Sequence, residues 1–286
     1  MDKVSVYIPC YNAEKYIVRA VESLLSQTVR PDEVLVIDDG CTDQSMEVIS
    51  GYSVRVISMG NNQGLAAARN RAYQEAKNEL IACIDADCEA TPTWLDQLLR
   101  DFPRDCAGTG GKTVEANQAR RADRWRAQHM PLHWGDKGLM NPKVIYGANQ
   151  LFKKSAIMDV GLLDATKVVD DYKIGYEDLE LARKLYKAGY KLFYNPQAIV
   201  YHLRCDTPRS IIRQYWRWSV FYYPEPRRLS IFILKIVINF LKALKHITYD
   251  LVRGDFHLIP ISTMIFPWHS YYDWEYFQRV NRQMAS

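Results

Sequence analysis

Residues 80–90 read LIACIDADCEA: a short apolar run, Leu80 to Ile84, followed at once by Asp85 and Asp87 with one alanine between them. The run has the length and composition of a buried strand. Carboxylates set against such surroundings are costly unless they are hydrated, paired or bound to a cation. Residues two apart on an extended chain point the same way, so Asp85 and Asp87 can address one ligand. Two oxygen donors with few nitrogen or sulfur neighbours suit a hard cation such as Mg or Mn, and that cation in turn suits a diphosphate. A solvated turn with helix-capping aspartates is the alternative that this stretch leaves open by itself.

Upstream, the β-rich runs KVSVYIP (3–9), EVLVID (33–38) and VRVIS (54–58) alternate with helical patterns near 13–27, 42–50 and 64–78. That alternation predicts βαβ units and a mostly parallel sheet, hence an α/β fold. Polar residues close every strand: Tyr11 and Asn12, Asp38 and Asp39, Asn61 and Asn62, then Asp85 and Asp87. Open α/β sheets bind ligands outside the carboxyl ends of their strands, so four clusters converge on one rim. Beyond residue 105 come a basic, Trp-containing segment (112–143), a strand KVIYGANQLF (143–152), a helix YEDLELARKLYKAG (176–189) and a strand pair YKLFYNPQAIVYH (190–202). From about residue 207 the chain reads as helical, basic and aromatic.

The 286 residues, 48% hydrophobic and 24% charged, suffice for a sizeable core, and a net charge of +4 gives no reason to invoke nucleic acid. The six cysteines lack metal-type CxxC spacing and read as reduced. The start MDKVSVYIPC enters a strand without a charged-then-apolar leader, and the expectation from this is a catalytic part that faces the cytoplasm. No apolar run reaches the ~18 residues of a spanning helix; LSIFILKIVINFL is broken by Lys235 and Asn239. Read as a helix, residues 229–247 put Lys235, Asn239, Lys242 and His246 on one face of an otherwise Leu, Ile, Phe and Val surface. Ten Lys and Arg face three acids between residues 204 and 254. The expectation is a peripheral membrane contact at the cytoplasmic face, with the lysine stripe meeting anionic headgroups and the aromatics of STMIFPWHSYYDWEYF at headgroup depth. Packing on the catalytic domain or dimer formation are the alternatives.

The segments VYIPCYNAEKYI (6–17), VLVIDDGCTDQS (34–45), NNQGLAAARN (61–70), IDAD (84–87) and GYEDLELARKL (175–185) follow in the order and approximate spacing of family-2 glycosyltransferases, which this chain resembles. The resemblance implies a GT-A fold: a Rossmann-like mixed sheet flanked by helices. It implies a catalytic domain over 1–205, with a nucleotide-binding half at about 1–105 and an acceptor half at about 106–205, followed by a helical extension over 206–286. It also implies an inverting, hexosyltransferase-type enzyme that moves a sugar from a nucleotide diphosphate sugar, UDP as the first guess, to a hydroxyl of a glycan or polyprenyl-linked acceptor, as in polysaccharide or glycoconjugate synthesis.

By the same resemblance, Pro9, Tyr11, Asp39, Arg69 and Asp85 would bind the nucleotide, and Asp87 with His202 would ligate a Mn or Mg ion. Asp178 would be the catalytic base, with Glu177, Gly147 and Asn149 near the donor and acceptor sugars. Within RQYWRW (213–218), Gln214, Arg217 and Trp218 have the QxxRW spacing of processive synthases, where the last two meet the diphosphate and acceptor. Those synthases carry several spanning helices and this chain shows no convincing one, so a structural amphipathic helix stands beside that reading. A sugar nucleotidyltransferase would open with a Gly-rich loop where PCYNAEKY stands, and an NAD-dependent oxidoreductase would need GxGxxG. A catalytically inactive sugar-nucleotide-binding protein would not need both Asp87 and Asp178. Donor sugar, linkage and oligomeric state are not legible.

Overall fold

A computed structural model describes residues 3–100, 102–166, 177–220 and 228–285, with side chains to residue 282. Gly175 and Tyr176 of the acidic motif, and Glu225 and Arg227 of the basic stretch, lie outside the described residues. The chain forms two compact units, one from residues 1–116 and 132–204, the other from 117–131 and 205–286. The expected boundary at 205 therefore needs one amendment, since 117–131 belongs with the carboxyl-terminal unit.

The first unit opens with β1 (Val4–Cys10), α1 (Ile17–Leu25), β2 (Glu33–Asp38), α2 (Ser45–Val48), β3 (Arg55–Ser58), α3 (Leu65–Glu75) and β4 (Leu80–Ile84). β1, β2, β3 and β4 pair in parallel in the spatial order 3-2-1-4. Alternation builds a core on each face of the sheet: Val34 and Val36 with Leu80, Ala82 and Ile84 join one cluster, while Leu35, Ile37, Ile81 and Cys83 join the other. Each such buried Val, Leu or Ile contributes about 1.5–3 kcal/mol. α1 buries Ile17, Ala20, Val21 and Leu24, the spacing of a one-sided helix.

Next come β5 (Cys88–Ala90), α4 (Trp94–Arg100), β6 (Cys106–Glu115), α5 (Arg121–His129, in the second unit), β7 (Leu139–Met140), β8 (Asn149–Lys153), α6 (Lys154–Asp159), α7 (Glu177–Lys187) and β9 (Lys191–His202). β8 runs antiparallel between β4 and β6; β9 lies parallel to β6 and antiparallel to β5 and β7, which makes the sheet mixed. The strand expected over 143–152 begins only at Asn149, because Tyr146 to Asn149 form a turn with a 3.0 Å hydrogen bond from the Asn149 N–H. The expected strand pair over 190–202 is one strand. Its register against β6 jumps from Asn195 to Ile199, which absorbs Pro196, a residue without a ladder donor.

The second unit consists of α5, α8 (Pro208–Val220), α9 (Leu229–Arg253), a 3-10 turn (Phe256–Leu258) and α10 (Ile259–Ala285). Its apolar core includes Trp125, Ile211, Ile212, Ala243, Ile261 and Ile265. Here the structure corrects the sequence reading. Lys235, Asn239 and His246 are buried and Lys242 is half-buried, so the polar stripe faces inward rather than toward headgroups. The physical reason is that buried partners on α5, α8 and α10 hold it there: Asp273, for example, takes hydrogen bonds from Lys235 at 3.2 Å, Asn239 at 2.8 Å and the Trp216 indole at 3.0 Å. No helix among the described residues is long and apolar enough to cross a membrane.

Candidate functional site

The carboxyl ends of β1 and β2 form one end of the rim. Pro9 is buried in β1, whereas Tyr11 stands 45% exposed just beyond it. Asn12 turns the chain through φ 51°, and its side-chain oxygen accepts the Thr42 N–H at 2.8 Å, tying this loop to the one after β2. Asp39 accepts the backbone N–H groups of Gln63 (2.6 Å) and Gly64 (2.9 Å), so the loop before α3 closes over the end of β2. Gly40 is needed there, at φ 75°, because a Cβ would meet the backbone of Asn61 and Asn62.

Arg69, from the first turns of α3, is the hub. It is 2% exposed and faces three carboxylates: Asp178, with which it forms the closest ion pair, Asp85 at 3.5 Å and Glu177 at 3.6 Å. Asp178 also accepts the Gly147 N–H at 2.8 Å. A Cβ on Gly147 would collide with the guanidinium, so the glycine lets the turn before β8 sit against Arg69. Enclosure lifts Asp85 to about 6; Arg69 opposes this, and the like charges of Asp87 and Asp178 add to it. Burial, then Asp178, raise Glu177, and Arg69 opposes them.

On the other side of Asp85, the Nε2 atom of His202 lies 3.2 Å from the Asp87 carboxylate and its Nδ1 lies 2.8 Å from Glu115. Burial disfavours the imidazolium, but the Asp87 charge and the hydrogen bonds to Asp87 and Glu115 outweigh it and raise His202 to about 10. Among the described residues no three His, Cys, Asp or Glu side chains make a ready metal cluster. Asp87 and, once its ring sheds the Nε2 proton, His202 would offer one oxygen and one nitrogen donor to a divalent cation. Glu115 holds the far ring nitrogen, as carboxylates behind metal-binding histidines do. Sequence reading missed Glu115; the available signal was an acid at the carboxyl end of a strand, the same position as the other site residues.

Asn149 is placed differently from the sugar contact expected of it. It is fully buried, and its amide accepts the Trp94 indole N–H at 2.8 Å and donates to the carbonyls of Ala198 (2.9 Å) and Lys112 (3.1 Å). That makes it a strut joining α4, β6 and β9. Arg217 and Trp218 are half-buried on α8 in the second unit, where Gln214 accepts a 2.5 Å hydrogen bond from Arg126. All six cysteines are free thiols.

Comparison with known proteins extends the picture. The chain is 25% identical over 232 residues to a poly-β-1,6-N-acetyl-D-glucosamine synthase of Staphylococcus epidermidis, covering 77% of this chain and 54% of that protein. It is 24% identical over 234 residues to the protein of the same name from Staphylococcus aureus, again covering 77% and 54%. The chain thus spans about half the length of the curated relatives it matches. Its fold resembles Staphylococcus aureus TarS 1-349 in complex with UDP-GlcNAc, with TM-score 0.54, 20% identity and coverage of 76% of this chain and 66% of that one. It also resembles GalNAc-T7 solved with UDP, GalNAc and Mn2+, with TM-score 0.57, 19% identity and coverage of 71% and 44%. The GT-A architecture expected from the motifs is the one observed. Residues 5–161, more than half of the chain, match the family described as Glycosyl transferase family 2, and with the rim of acids at the ends of its parallel strands the chain belongs to that family.

Proposed function

We propose that this chain is a divalent-cation-dependent, inverting glycosyltransferase that transfers a sugar from a UDP-sugar to a hydroxyl of a glycan or polyprenyl-linked saccharide at the cytoplasmic face of a membrane, in polysaccharide or glycoconjugate synthesis. The observation that carries this reading is Arg69, which joins Asp85 on the nucleotide side of the rim to Asp178 on the acceptor side. Tyr11 and Asp39 would hold the base and Asp85 the ribose. Asp87 and His202 would hold the cation, which when bound neutralises charge on the departing diphosphate. Asp178, oriented by Arg69 and the Gly147 N–H, would take the proton of the acceptor hydroxyl as its oxygen attacks the anomeric carbon, in a single displacement with inversion. UDP is chosen as carrier because fold neighbours were solved with UDP or UDP-GlcNAc.

The test is turnover of a panel of UDP-, GDP-, dTDP- and CDP-sugars with Mn, with and without EDTA. One donor should be turned over, with loss in EDTA and recovery on adding Mn. Asp178→Asn should lower turnover by about 10²–10⁴-fold, the scale of a lost general base, while calorimetry shows donor affinity retained. Near-normal turnover in that variant removes Asp178 from the role.

A further inference from the structure

Helix α9 is folded inside out for a helix in water. It buries Lys235, Asn239, His246 and Asp250, while Ile233, Leu234, Val237, Phe240, Leu241 and Leu244 stand 48–55% exposed on its outer side. Leu251 and Val252 in its last turn and Phe256 just beyond continue that surface. The inversion is fixed by pairing and is not a matter of rotational freedom. Asp273 takes hydrogen bonds from Lys235 and Asn239 at one end. At the other, Asp250 lies 2.7 Å from His129 and accepts the Ser262 hydroxyl at 2.6 Å. Turning α9 to hide its apolar side would break all of these contacts and leave buried charges unpaired.

Three features decide what covers this face. Every exposed charge from the helix cap to its last residue is positive, namely Arg228, Lys245 and Arg253, because the only acid in that span, Asp250, is buried. Just past the last turn the half-buried Asp255 pairs with Arg253 at 3.4 Å, which leaves the rim cationic in sum. A second copy docked by two-fold symmetry would set two such net-positive rims together, which is unfavourable; anionic lipid headgroups are the complement of that charge. Exposed Tyr249 on α9 itself, and exposed Trp274, whose ring lies 5.2 Å from that of Phe232 on α9, add aromatic rings with polar tips, side chains suited to a water–hydrocarbon boundary. The 25-residue helix is roughly 37 Å long at 1.5 Å per residue, and it does not qualify as a spanning segment, so it fits lying flat.

We infer that the outer face of α9, continued through Phe256, docks in the plane of an anionic lipid bilayer with its apolar side chains, while its polar stripe stays inside the protein. This docking is independent of the glycosyl transfer proposed above and is read without it. The experiment is flotation of the full chain with phosphatidylcholine vesicles, with or without phosphatidylglycerol, at low and high salt. The chain should float with the anionic vesicles and lose most of that binding in high salt, and Trp274 emission should shift to the blue, a shift absent in Trp274→Phe. Val237→Glu with Leu241→Glu should cut vesicle binding at least tenfold while circular dichroism and donor turnover stay unchanged. If that pair misfolds, Lys245→Glu with Arg253→Glu should abolish the preference for anionic vesicles. A chain that stays at the bottom of the gradient overturns the inference, as does a vesicle-indifferent dimer in sedimentation that the Val237→Glu, Leu241→Glu pair splits.

Discussion

Arg69 has no room to retreat, and that makes Gly147 a sensitive position. Gly147→Ala would place a methyl where the guanidinium lies and push Arg69 off Asp178. Because a displacement of about 1 Å can cost ~100-fold in rate, kcat should fall at least that far while nucleotide affinity measured by calorimetry changes little. Arg69→Met should also lower stability, since it leaves Asp85, Glu177 and Asp178 facing one another without their shared cation. Breaking a buried pair costs about 3–5 kcal/mol, read as a fall in the urea midpoint; an unmoved midpoint would contradict the hub. Asp39, Asp85, Asp87 and Asp178 could be singled out from sequence because each sits in a short motif at the end of a strand or the start of a helix. The partnership of Arg69 with Asp178 spans 109 positions and could not. Asn149 misled for a related reason: an amide looks the same in sequence whether it points at a ligand or closes three buried hydrogen bonds.

At the scale of elements, the polar side of α9 builds a relay whose rings stay neutral. The Tyr215 hydroxyl lies 2.9 Å from Nε2 of His246, whose Nδ1 lies 2.8 Å from Nδ1 of His129, whose Nε2 lies 2.7 Å from Asp250. A hydroxyl donating at one end and a carboxylate accepting at the other assign one proton to each ring. Burial, then the repulsion that a protonated His129 would add, and the charges of Lys245 and Lys242, push His246 down to about 3. Burial and Lys242 do the same to His269 on α10, with the Ile212 carbonyl opposing. An unfolded histidine titrates near 6.5, so these groups contribute stability that is present above that pH and lost as pH falls toward 3. The loss approaches about 1.4 kcal/mol per pH unit for each. Hydrogen exchange in α8, α9 and α10 should therefore speed up between pH 7 and pH 5 after correction for intrinsic rates, while β1 to β4 hold. Protection in the helices that is constant or rising would contradict this. The period of α9 was legible in its sequence, since spacing shows which residues share a face. Which face turns inward was not, because the buried carboxylates that decide it sit on the last turn and on α10.

For the molecule as a whole, composition marks the shift near residue 205, but nothing local in QARRADRWRAQH, residues 118–129, says that it packs with helices far downstream. Trp125 gives its indole N–H to Ser262, 137 positions away, and Arg126 pairs with Asp206 at 2.6 Å. A chain ending at residue 204 would strand α5 and expose Trp125, so it should scatter light and melt without a cooperative transition. The same truncation with 117–131 replaced by a short Gly-Ser linker should stay monodisperse. Equal behaviour of the two would show that α5 does not need its distant partners. The discontinuity also sets an order in time. At ~5–20 residues per second of synthesis, α5 leaves the ribosome on the order of ten seconds before Ser262 exists. During that interval Trp125 lacks Ser262, and the residues of α9 have no Asp273 to define an inside. The outer face proposed to meet lipid is therefore made only when α10 arrives, so a nascent chain that docks as proposed would do so after the strands of its sheet have all been synthesised.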